Sequence, residues 1–504
     1  MKKFKIISAL LLCVALAAAF LACDGKDKDA KGEKTPDGSE TDLNAPDPDA
    51  PDLPKINMGD KTFTFLVTSW GDFNTLSPDI APEDLGSDPD PILQLAKERQ
   101  THIESTYNIK LKTHNIPSHT DAVSQYQSSI LADDGTYDAA ITTCTNFTSL
   151  LSGNYLTDLQ DIPNLNASKP YWNKNFYEAM SVLGRHYALD GDISKRRLEC
   201  VWIMVFNKAL LSSKGLESPF DLVKSGDWTY GKMHDMAKTI ADDLNGDGKM
   251  NIADDLWGIN YTGDTIMGII NGCGVKLAEN DKDGIPKMTV NGEVNIMKLA
   301  KIYETMKDDS YSIDTAFHPS ITVGTYKDVE LFMEKRCLFV AAATHTITGH
   351  DGYNLREAEI DFGIIPYPKW DSAQKDYLPY TAGNFHPVLT IPTTNRDLEN
   401  TGIILEAMAY EGMKTIRPEF YESLLKRKTA RDVESFEMID YIFGNLNYDI
   451  GVMFDFGPSG KKLCYMFGYN MSHNPKASIV TTIDKNINAW QRAIDQMIAE
   501  VDSH

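Results

Sequence analysis

The sequence predicts an α/β protein with at least two domains, and three observations support this prediction. The chain has 504 residues, which is more than a single hydrophobic core normally organises. Hydrophobic residues make up 42% of it, too many for a disordered chain. Strand-like and helix-like segments alternate at intervals that fit βαβ crossovers and a mainly parallel sheet.

The first strands and helices follow one another directly. The apolar run 62–68 predicts a buried strand, and apolar residues at helical spacing over 91–107 predict a helix. Alternation predicts a second strand over 108–112, a helix follows near 121–131, and a third short strand is expected over 137–143.

Later elements are more widely spaced. Further strands are expected at 200–206, 337–343, 362–366 and 388–392. The chain closes on an expected helix near 487–501, where apolar residues again recur on one stripe.

Residues 1–22 have the features of a secretory signal peptide, with lysines before an apolar run from Ile6 to Leu21. The tetrad Phe20-Leu-Ala-Cys23 resembles a bacterial lipobox, in which the signal is cut before a cysteine that receives a lipid. This resemblance predicts lipidation of Cys23. The alternative is an ordinary cleaved signal. A membrane-spanning helix is disfavoured, because the run is shorter than the roughly 20 residues needed to span a bilayer.

A disordered, acidic and proline-rich tether is predicted over 23–60. The composition from Asp24 to about Lys55 is dominated by Asp, Lys, Gly, Pro and Ser, and such a segment buries too little apolar surface to offset its ordering entropy. The tether would hold a folded body away from a membrane.

Charge and cysteine usage narrow the function classes. A net charge of −23 argues against nucleic acid or an anionic membrane surface as partner, because both are polyanions. Membrane contact is therefore expected only through the N-terminal lipid. Five cysteines remain after the signal and Cys23, and without CxxC spacing they are expected to be small buried residues, with one disulfide possible. They are Cys144, Cys200, Cys273, Cys337 and Cys464.

The sharpest local motif is an EF-hand-like loop over 243–254. Oxygen-bearing side chains stand at loop positions 1, 3, 5, 9 and 12, and Gly248 at position 6 allows the sharp turn. The predicted ligands of a structural Ca²⁺ ion are Asp243, Asn245, Asp247, the carbonyl of Lys249, Asn251 and Asp254. Position 12 is Asp where an EF-hand has the longer Glu. The alternative is an acidic turn without an ion.

Common catalytic signatures are missing or incomplete. The sequence contains no HExxH, GxSxG or GxGxxG motif. The segment 226–232 has the spacing of a phosphate loop, but Met233 replaces the hydroxyl that magnesium requires, so we expect a helix start capped by Thr229. Asp190 and Asp192 could form a carboxylate pair for glycoside cleavage, or could be solvated turn residues.

Several segments in order resemble one protein family. They are 187–192 with 205–210, Gly226-Asp-Trp-Thr-Tyr230, the cation loop with Trp257-Gly-Ile259, Phe362-Gly-Ile-Ile-Pro-Tyr-Pro368, and 445–451 with Tyr448-Asp449. They resemble the extracellular solute-binding proteins, family 1, of bacterial carbohydrate ABC transporters, the maltose-binding-protein class. The similarity extends from about Thr62 to His504.

The resemblance implies a two-lobed periplasmic-binding-protein-like fold of type II, each lobe a sheet flanked by helices and joined by hinge strands. Lobe 1 would comprise 61–198 plus about 381–412, and lobe 2 would comprise 199–380 plus about 413–504. It implies a monomer, not an enzyme, that captures a sugar or oligosaccharide between the lobes and delivers it to a membrane permease. The protein would be lipid-anchored on the extracellular face of the bacterial cytoplasmic membrane, or periplasmic if the host has an outer membrane.

Solute-binding side chains are expected at strand ends and at the crossings between the lobes. In lobe 1 the candidates are Trp70 after the first strand and Thr143, Thr145 and Asn146 after the third. Near the crossings they are Asp190, Asp192, Thr344, His345, Tyr380, Asn384 and His386. Each of these also has a structural interpretation, as a core aromatic or a hydrogen-bonded group of the fold.

Three functions remain open from the sequence. The leading hypothesis is a lipid-anchored sugar-binding subunit of an ABC importer. The second is a secreted glycan hydrolase that uses Asp190 or Asp192. The third is a surface module that binds glycans without transporting them.

Overall fold

The structure is a computed structural model, and it describes residues 47–68, 77–83, 85–87, 89–315, 329–348, 355, 358–421, 433–471, 474 and 477–503. The predicted signal peptide, Cys23 and most of the predicted tether lie outside these residues. Asp49–His504 forms one compact unit. No helix among the described residues is long and apolar enough to cross a membrane.

Strands and helices alternate along this unit, as the sequence predicts. The strands are β1 (Lys61–Thr68), β2 (Ile109–Ile116), β3 (Ala139–Thr143), β4 (Val201–Asn207), β5 (Trp257–Tyr261), β6 (Ala278–Asn280), β7 (Pro286–Met288), β8 (Ser312–Asp314), β9 (Cys337–Ala343), β10 (Phe362–Ile365), β11 (Tyr380–Thr381) and β12 (Pro387–Thr390). The helices are α1 (Pro91–Tyr107), α2 (His119–Ala132), α3 (Cys144–Leu151), α4 (Lys174–Ala179), α5 (Arg196–Glu199), α6 (Lys208–Ser213), α7 (Pro219–Ser225), α8 (Tyr230–Ile240), α9 (Gly263–Gly272), α10 (Glu293–Met306), α11 (Glu330–Met333), α12 (Thr344–Thr348), α13 (Leu398–Lys414), α14 (Ile416–Glu419), α15 (Val433–Gly444), α16 (Ile450–Phe454) and α17 (Ile479–Asp502). A 3₁₀ turn spans Leu159–Asp161 and a π-helix spans Tyr465–Asn470.

The first sheet, which defines lobe 1, has the strand order β12-β3-β1-β2. β1 runs parallel to β2 and β3, while β12 pairs antiparallel with β3. Alternate residues of β1 face opposite layers: Phe65 packs in the apolar cluster under α1 and α13, and Leu66 packs in the cluster under α2 and α3. Because β1 and β3 are parallel, their carboxyl ends lie at the same edge of the sheet. The start of the antiparallel strand β12 lies beside this edge.

The second sheet, which defines lobe 2, has the order β10-β4-β9-β5-β8, with β11 added against β4. β5 is parallel to β8 and β9, but β4 is antiparallel to β9, β10 and β11. The expectation of a mainly parallel sheet is therefore wrong for this lobe. The chain passes directly from lobe 1 through α5 into β4. In the part of the chain that the structure describes, no helix connects β4 to an earlier strand of the same sheet, so β4 is not held parallel by a βαβ crossover.

The two lobes are joined by crossings and by side-chain contacts. The chain crosses at α5, between β11 and β12, and between α14 and α15. One cluster of buried apolar side chains continues from the α2/α3 face of lobe 1 into lobe 2. At the contact of α3 with α16, the rings of Phe147 and Phe454 are 5.4 Å apart, and Thr148 Oγ1 donates to the Phe454 carbonyl at 2.6 Å.

A strap formed by residues 49–58 lies along lobe 1, where the sequence predicted disordered tether as far as residue 60. Leu53 and Ile56 pack against the apolar cluster under α1 and α13, and Met58 is buried. The Met58 amide donates to the Tyr107 carbonyl at 2.8 Å, and Lys169 Nζ donates to the Ala50 carbonyl at 2.9 Å. Three apolar side chains and two hydrogen bonds therefore attach the proline-rich strap to lobe 1.

Most local predictions agree with the structure. α1 and β9 have the predicted bounds, and Thr229 caps α8 by accepting from the Lys232 amide. The last helix begins at Ile479 rather than near 487. The five cysteines described are free thiols, four of them buried and Cys464 half-buried.

Candidate functional site

The predicted site residues near the crossings form a buried network. Asp190 accepts from Asn173 Nδ2 at 3.0 Å, and its carboxylate lies 3.2 Å from His386 Nε2. On its other side the His386 ring lies 3.2 Å from Thr381 Oγ1. At most 1% of the Asp190 and His386 side chains is exposed, so both are closed to a solute in this structure.

Asp192 is held by two arginines. Arg197 donates through NH2 at 2.5 Å and Nε at 3.2 Å, and Arg417 donates through NH1 at 2.9 Å. Burial alone would lower the pKa of Arg197, but the Asp192 and Asp190 charges outweigh it and raise the pKa. Only 1% of the Asp192 side chain is exposed, so in this structure its carboxylate is held by the two arginines and is closed to a solute, and its predicted solute contact is not supported. The pair Asp190 and Asp192 is therefore not accessible for glycoside cleavage.

Thr344 and His345 also make contacts of the fold. Thr344 Oγ1 donates to the Leu198 carbonyl, and His345 Nδ1 lies 3.1 Å from the Glu199 carbonyl. Both side chains are buried. They fix the start of α12 against α5 at the crossing, so their predicted solute contacts are not supported.

Lobe 1 contributes a polar edge at the end of β3. Thr143 is buried, with its hydroxyl 3.2 Å from that of Thr145, whereas Thr145 and Asn146 are half-buried. Asn146 Nδ2 lies 3.1 Å from Nδ1 of His119. Burial lowers the pKa of His119, and the charge of Lys462 lowers it further. This edge therefore presents hydroxyl and amide groups beside a neutral imidazole at neutral pH.

Lobe 2 contributes a carboxylate and two tyrosines. Asp264 follows β5 in the first turn of α9 and accepts from the Tyr469 hydroxyl at 2.8 Å. Tyr469 lies on the π-helix and stacks on Tyr465, with ring centroids 6.4 Å apart and an interplanar angle of 20°. Tyr465 is 48% exposed. Irregular helices of this kind are frequent at functional sites.

Two glycines allow α9 and the π-helix to approach each other. A Cβ added at Gly263 would lie 2.9 Å from the Gly468 carbonyl oxygen and from the Tyr469 ring, closer than real Cβ contacts permit. The close backbone approach lets Tyr469 reach Asp264.

The lobe 1 edge and the lobe 2 aromatics are linked by Lys462. Three residues before Tyr465, Lys462 Nζ donates to the Thr145 carbonyl at 2.9 Å. The segment from Lys462 to Tyr469 thus extends from the polar edge of lobe 1 to Asp264 of lobe 2. We refer to one set of residues as the cleft wall: Thr145, Asn146, Asp264, Tyr465 and Tyr469.

The remaining predicted residues fall into different groups. Tyr380 is buried near Asp264; burial raises the pKa of Tyr380 and the Asp264 charge adds to the rise. Asn384 is half-buried in the turn between β11 and β12. Trp70 lies outside the described residues.

Three residues of the cleft wall were not predicted from the sequence. Asp264 comes shortly after Trp257-Gly-Ile259, so the strand-end argument could have identified it. Tyr465 and Tyr469 are four residues apart in Tyr-Met-Phe-Gly-Tyr, a spacing that matches one face of a helix. That pattern does not by itself distinguish a core stripe from an exposed platform.

The EF-hand-like loop is folded by its own side chains. The Asp243 carboxylate accepts from the Gly246 amide at 2.8 Å and from the Gly248 amide at 2.7 Å. The donor set of carboxylate, amide and carbonyl oxygens suits a hard divalent cation. In the described part of the chain, however, no three His, Cys, Asp or Glu side chains are close enough together to hold a metal.

Asp255, one position beyond the predicted ligands, closes this loop. It is buried and accepts from the Leu244 amide at 3.0 Å and from the Asn251 amide at 2.7 Å. The sequence analysis missed Asp255, because the EF-hand spacing directs attention to Asp254. Asp255 therefore ties the two ends of the loop together through its own hydrogen bonds.

Solved structures share this fold. M. tuberculosis UspC aligns with a TM-score of 0.55 at 12% identity, covering 86% of this chain and 100% of that one. The GacH receptor of Streptomyces glaucescens aligns at 0.53 with 14% identity, covering 86% and 99%. A solute-binding protein of Thermotoga lettingae, bound with α-D-tagatose, aligns at 0.52 with 13% identity, covering 87% and 100%. No protein-family model and no curated protein matches the chain. The chain has the two-lobed, periplasmic-binding-protein-like α/β fold.

Proposed function

We propose that the protein is the solute-binding subunit of an ABC importer, which captures a sugar or oligosaccharide between its lobes and delivers it to a membrane permease. The observation that carries this proposal is the cleft wall. Tyr465, which is exposed and stacks on the half-buried Tyr469, adjoins the buried carboxylate of Asp264 on lobe 2. Lys462 connects this group to the hydroxyl and amide edge of lobe 1.

The chemistry of this wall matches a pyranose ring. The exposed face of Tyr465 offers a flat apolar surface to the C–H face of a sugar. Asp264, Thr145 and Asn146 offer acceptors and donors for ring hydroxyls. Proteins with the same fold have been solved with α-D-tagatose, acarbose and maltotetraose.

Capture requires the two lobes to move relative to each other. The crossings provide a hinge, and closure would bury the solute between lobe 1 and lobe 2. No covalent step is needed, which agrees with the ion-paired state of Asp192. We therefore propose a binding protein and not a hydrolase.

We further propose that Cys23 carries a lipid on the extracellular face of the cytoplasmic membrane, with residues 24–46 as the tether. The protein would act as a monomer. Its lipid and tether would keep it near its permease. Mass spectrometry of the protein extracted from membranes tests this proposal. An unmodified Cys23, or cleavage at another position, would contradict it.

A thermal-shift screen over sugars, followed by calorimetry, tests the binding proposal. A bound solute raises the melting temperature by mass action. Tyr465→Ala and Asp264→Asn should each weaken solute binding about tenfold or more, the equivalent of about 1.4 kcal/mol. Leu131→Ala, at a 73% exposed position on lobe 1, is the matched control and should bind like the wild type.

Three outcomes would contradict the proposal. Turnover of an oligosaccharide by the purified protein would favour a hydrolase. Saturable binding of glycerophosphocholine alone, which the structurally similar UgpB of Mycobacterium tuberculosis binds, would replace the solute class. Binding unaffected by Tyr465→Ala would remove the cleft wall from the site.

We propose that the loop 243–254 holds a structural Ca²⁺ ion, supported by its donor set and spacing. Added calcium should raise the melting temperature, and a chelator should lower it. Asp243→Ala should abolish this response, because it removes the first ligand. An identical melting temperature with calcium and with chelator would contradict the proposal, and Asp255 alone would then account for the loop's closure.

A further inference from the structure

An open cavity of about 330 Å³ lies at the crossings and shares no residue with the cleft wall. Its walls come from three elements: α5 provides Arg197 and Leu198, α14 provides Arg417, and α15 provides Asp440 and Phe443. α14 packs on α1 of lobe 1, and α15 packs on β10 of lobe 2. A ligand in this cavity would therefore contact both lobes at the hinge.

The two arginines have more donors than the described structure satisfies. Arg197 uses Nε and NH2 on Asp192, and Arg417 uses NH1 on the same carboxylate. Each guanidinium has five N–H donors. The remaining donors of both groups have no acceptor among the described residues. Arg417 is 35% exposed and Arg197 is 13% exposed, so the free donors are accessible from the cavity.

The charged groups at the cavity wall itself favour an anion, because Arg197 and Arg417 line the cavity and the buried carboxylate that they share, Asp192, does not. Asp190, whose charge also acts on Arg197, is buried and does not line the cavity either. Asp440 also lines the cavity, but it is exposed and water and salt screen its charge. Tyr421 lies beside both arginines: burial raises the pKa of its hydroxyl, while Arg197 and Arg417 oppose that rise. Its hydroxyl is therefore neutral at neutral pH.

We propose that this hinge cavity binds a small oxyanion, a carboxylate or a phosphate, through Arg417 and Arg197. Guanidinium groups bind both chemistries with paired, charge-assisted hydrogen bonds. Phe443 and Leu198 add an apolar wall to the cavity beside these donors. The site requires no sugar and does not depend on the proposed transport function.

Calorimetry of the full protein without sugar, at constant ionic strength, tests this proposal. Inorganic phosphate and succinate are the two probes, and chloride is the reference. One or both probes should bind saturably, and which one binds distinguishes the two chemistries. Arg417→Met should weaken that binding at least tenfold, because Arg417 carries most of the free donors. Arg396→Met, which removes an exposed arginine paired with Asp133 on lobe 1, should leave it unchanged.

Arg417→Lys provides a second variant in case Arg417→Met does not fold. It keeps a cation for Asp192 but loses the planar fork, so it should fold normally and bind the oxyanion more weakly than the wild type. The proposal is wrong if neither probe binds, or if a folded Arg417 variant binds like the wild type. Because sugar binding is measured separately, failure here leaves the cleft wall unaffected.

Discussion

Two groups of polar residues near the hinge differ sharply in their surroundings. We call Asp190, Asp192 and His386 the crossing network; at most 1% of each side chain is exposed, and each has polar partners within the protein. In the cleft wall, by contrast, Thr145, Asn146 and Tyr469 are half-buried and Tyr465 is 48% exposed, while Asp264 is buried. Both groups occur near strand ends and crossings, so their position in the chain does not separate them. Burial and charge pairing do.

The difference has an energetic meaning. Removing one partner of a buried ion pair leaves an uncompensated charge in a medium of low polarity, which is strongly destabilising. Removing a half-exposed group leaves only a surface that water can reach. The crossing network should therefore affect folding, and the half-exposed residues of the cleft wall should affect binding.

The largest expected effect is that of Asp192→Asn. Arg197 and Arg417 would lose their shared countercharge, and we expect the free energy of unfolding to fall by about 3 to 5 kcal/mol. Urea unfolding followed by circular dichroism measures this. Asp440→Asn, at an exposed carboxylate of the same cavity, is the control and should change stability by about 0.5 kcal/mol at most. Equal stability of Asp192→Asn and wild type would contradict a structural role for this network.

A second prediction distinguishes the effect of burial on a carboxylate from the effect of ion pairing. Asp138 accepts from the Thr64 amide at 2.7 Å, and burial raises its pKa to about 6. Folding therefore favours the protonated form of Asp138, which stabilises the folded protein at low pH. This stabilisation is fully present below the unfolded pKa near 4 and is lost as the pH rises through the folded pKa of about 6. Raising the pH from 4 to 8 should therefore cost the wild type about 2 to 3 kcal/mol at this residue.

Asp138→Asn should remove that pH-dependent loss, because the amide resembles the neutral acid. Asp281→Asn is the matched control. The Lys287 contact, aided by backbone amides, holds the pKa of Asp281 at about 2, so both its folded and unfolded pKa values lie at or below about 4. Its pH profile between 5 and 8 should match the wild type. Parallel profiles for Asp138→Asn and wild type would show that Asp138 is ionised throughout.

The smallest expected effect on stability is that of Asn384→Ala. Asn384 is half-buried in a turn, so we expect the free energy of unfolding to change by about 0.5 kcal/mol or less. If it contacts solute, as the sequence predicts, binding weakens while the melting temperature stays constant. A clear loss of stability with unchanged binding would assign Asn384 to the crossing network instead.

Much of the fold could be predicted, because local patterns specify it. Apolar periodicity located α1 with its bounds, and the continuous run at Cys337–Ala343 located β9. The direction of β4 could not be predicted from the sequence, since it depends on where the chain crosses between the lobes. The sequence analysis did not predict the strap. The polar, proline-rich composition of the segment indicated disorder, although three apolar residues lie within it.

The candidate site was predicted only in part. Strand-end reasoning selected Thr145 and Asn146, which the structure places, half-buried, at the lobe 1 edge. It also selected Asp190, Asp192 and Thr344, whose partners are distant in sequence or come from a neighbouring turn. The contact of Tyr469 with Asp264 joins residues far apart in the chain through a π-helix. Such a contact depends on tertiary packing, and no local pattern predicts it.

The strap has a practical consequence for producing the protein. Its composition invites truncation at residue 60 to remove what looks like a linker. That cut would uncover the apolar surface of α1 and α13 on which Leu53 and Ile56 rest, and an exposed surface of this kind promotes self-association. A recombinant version beginning before Asp49 keeps this surface covered.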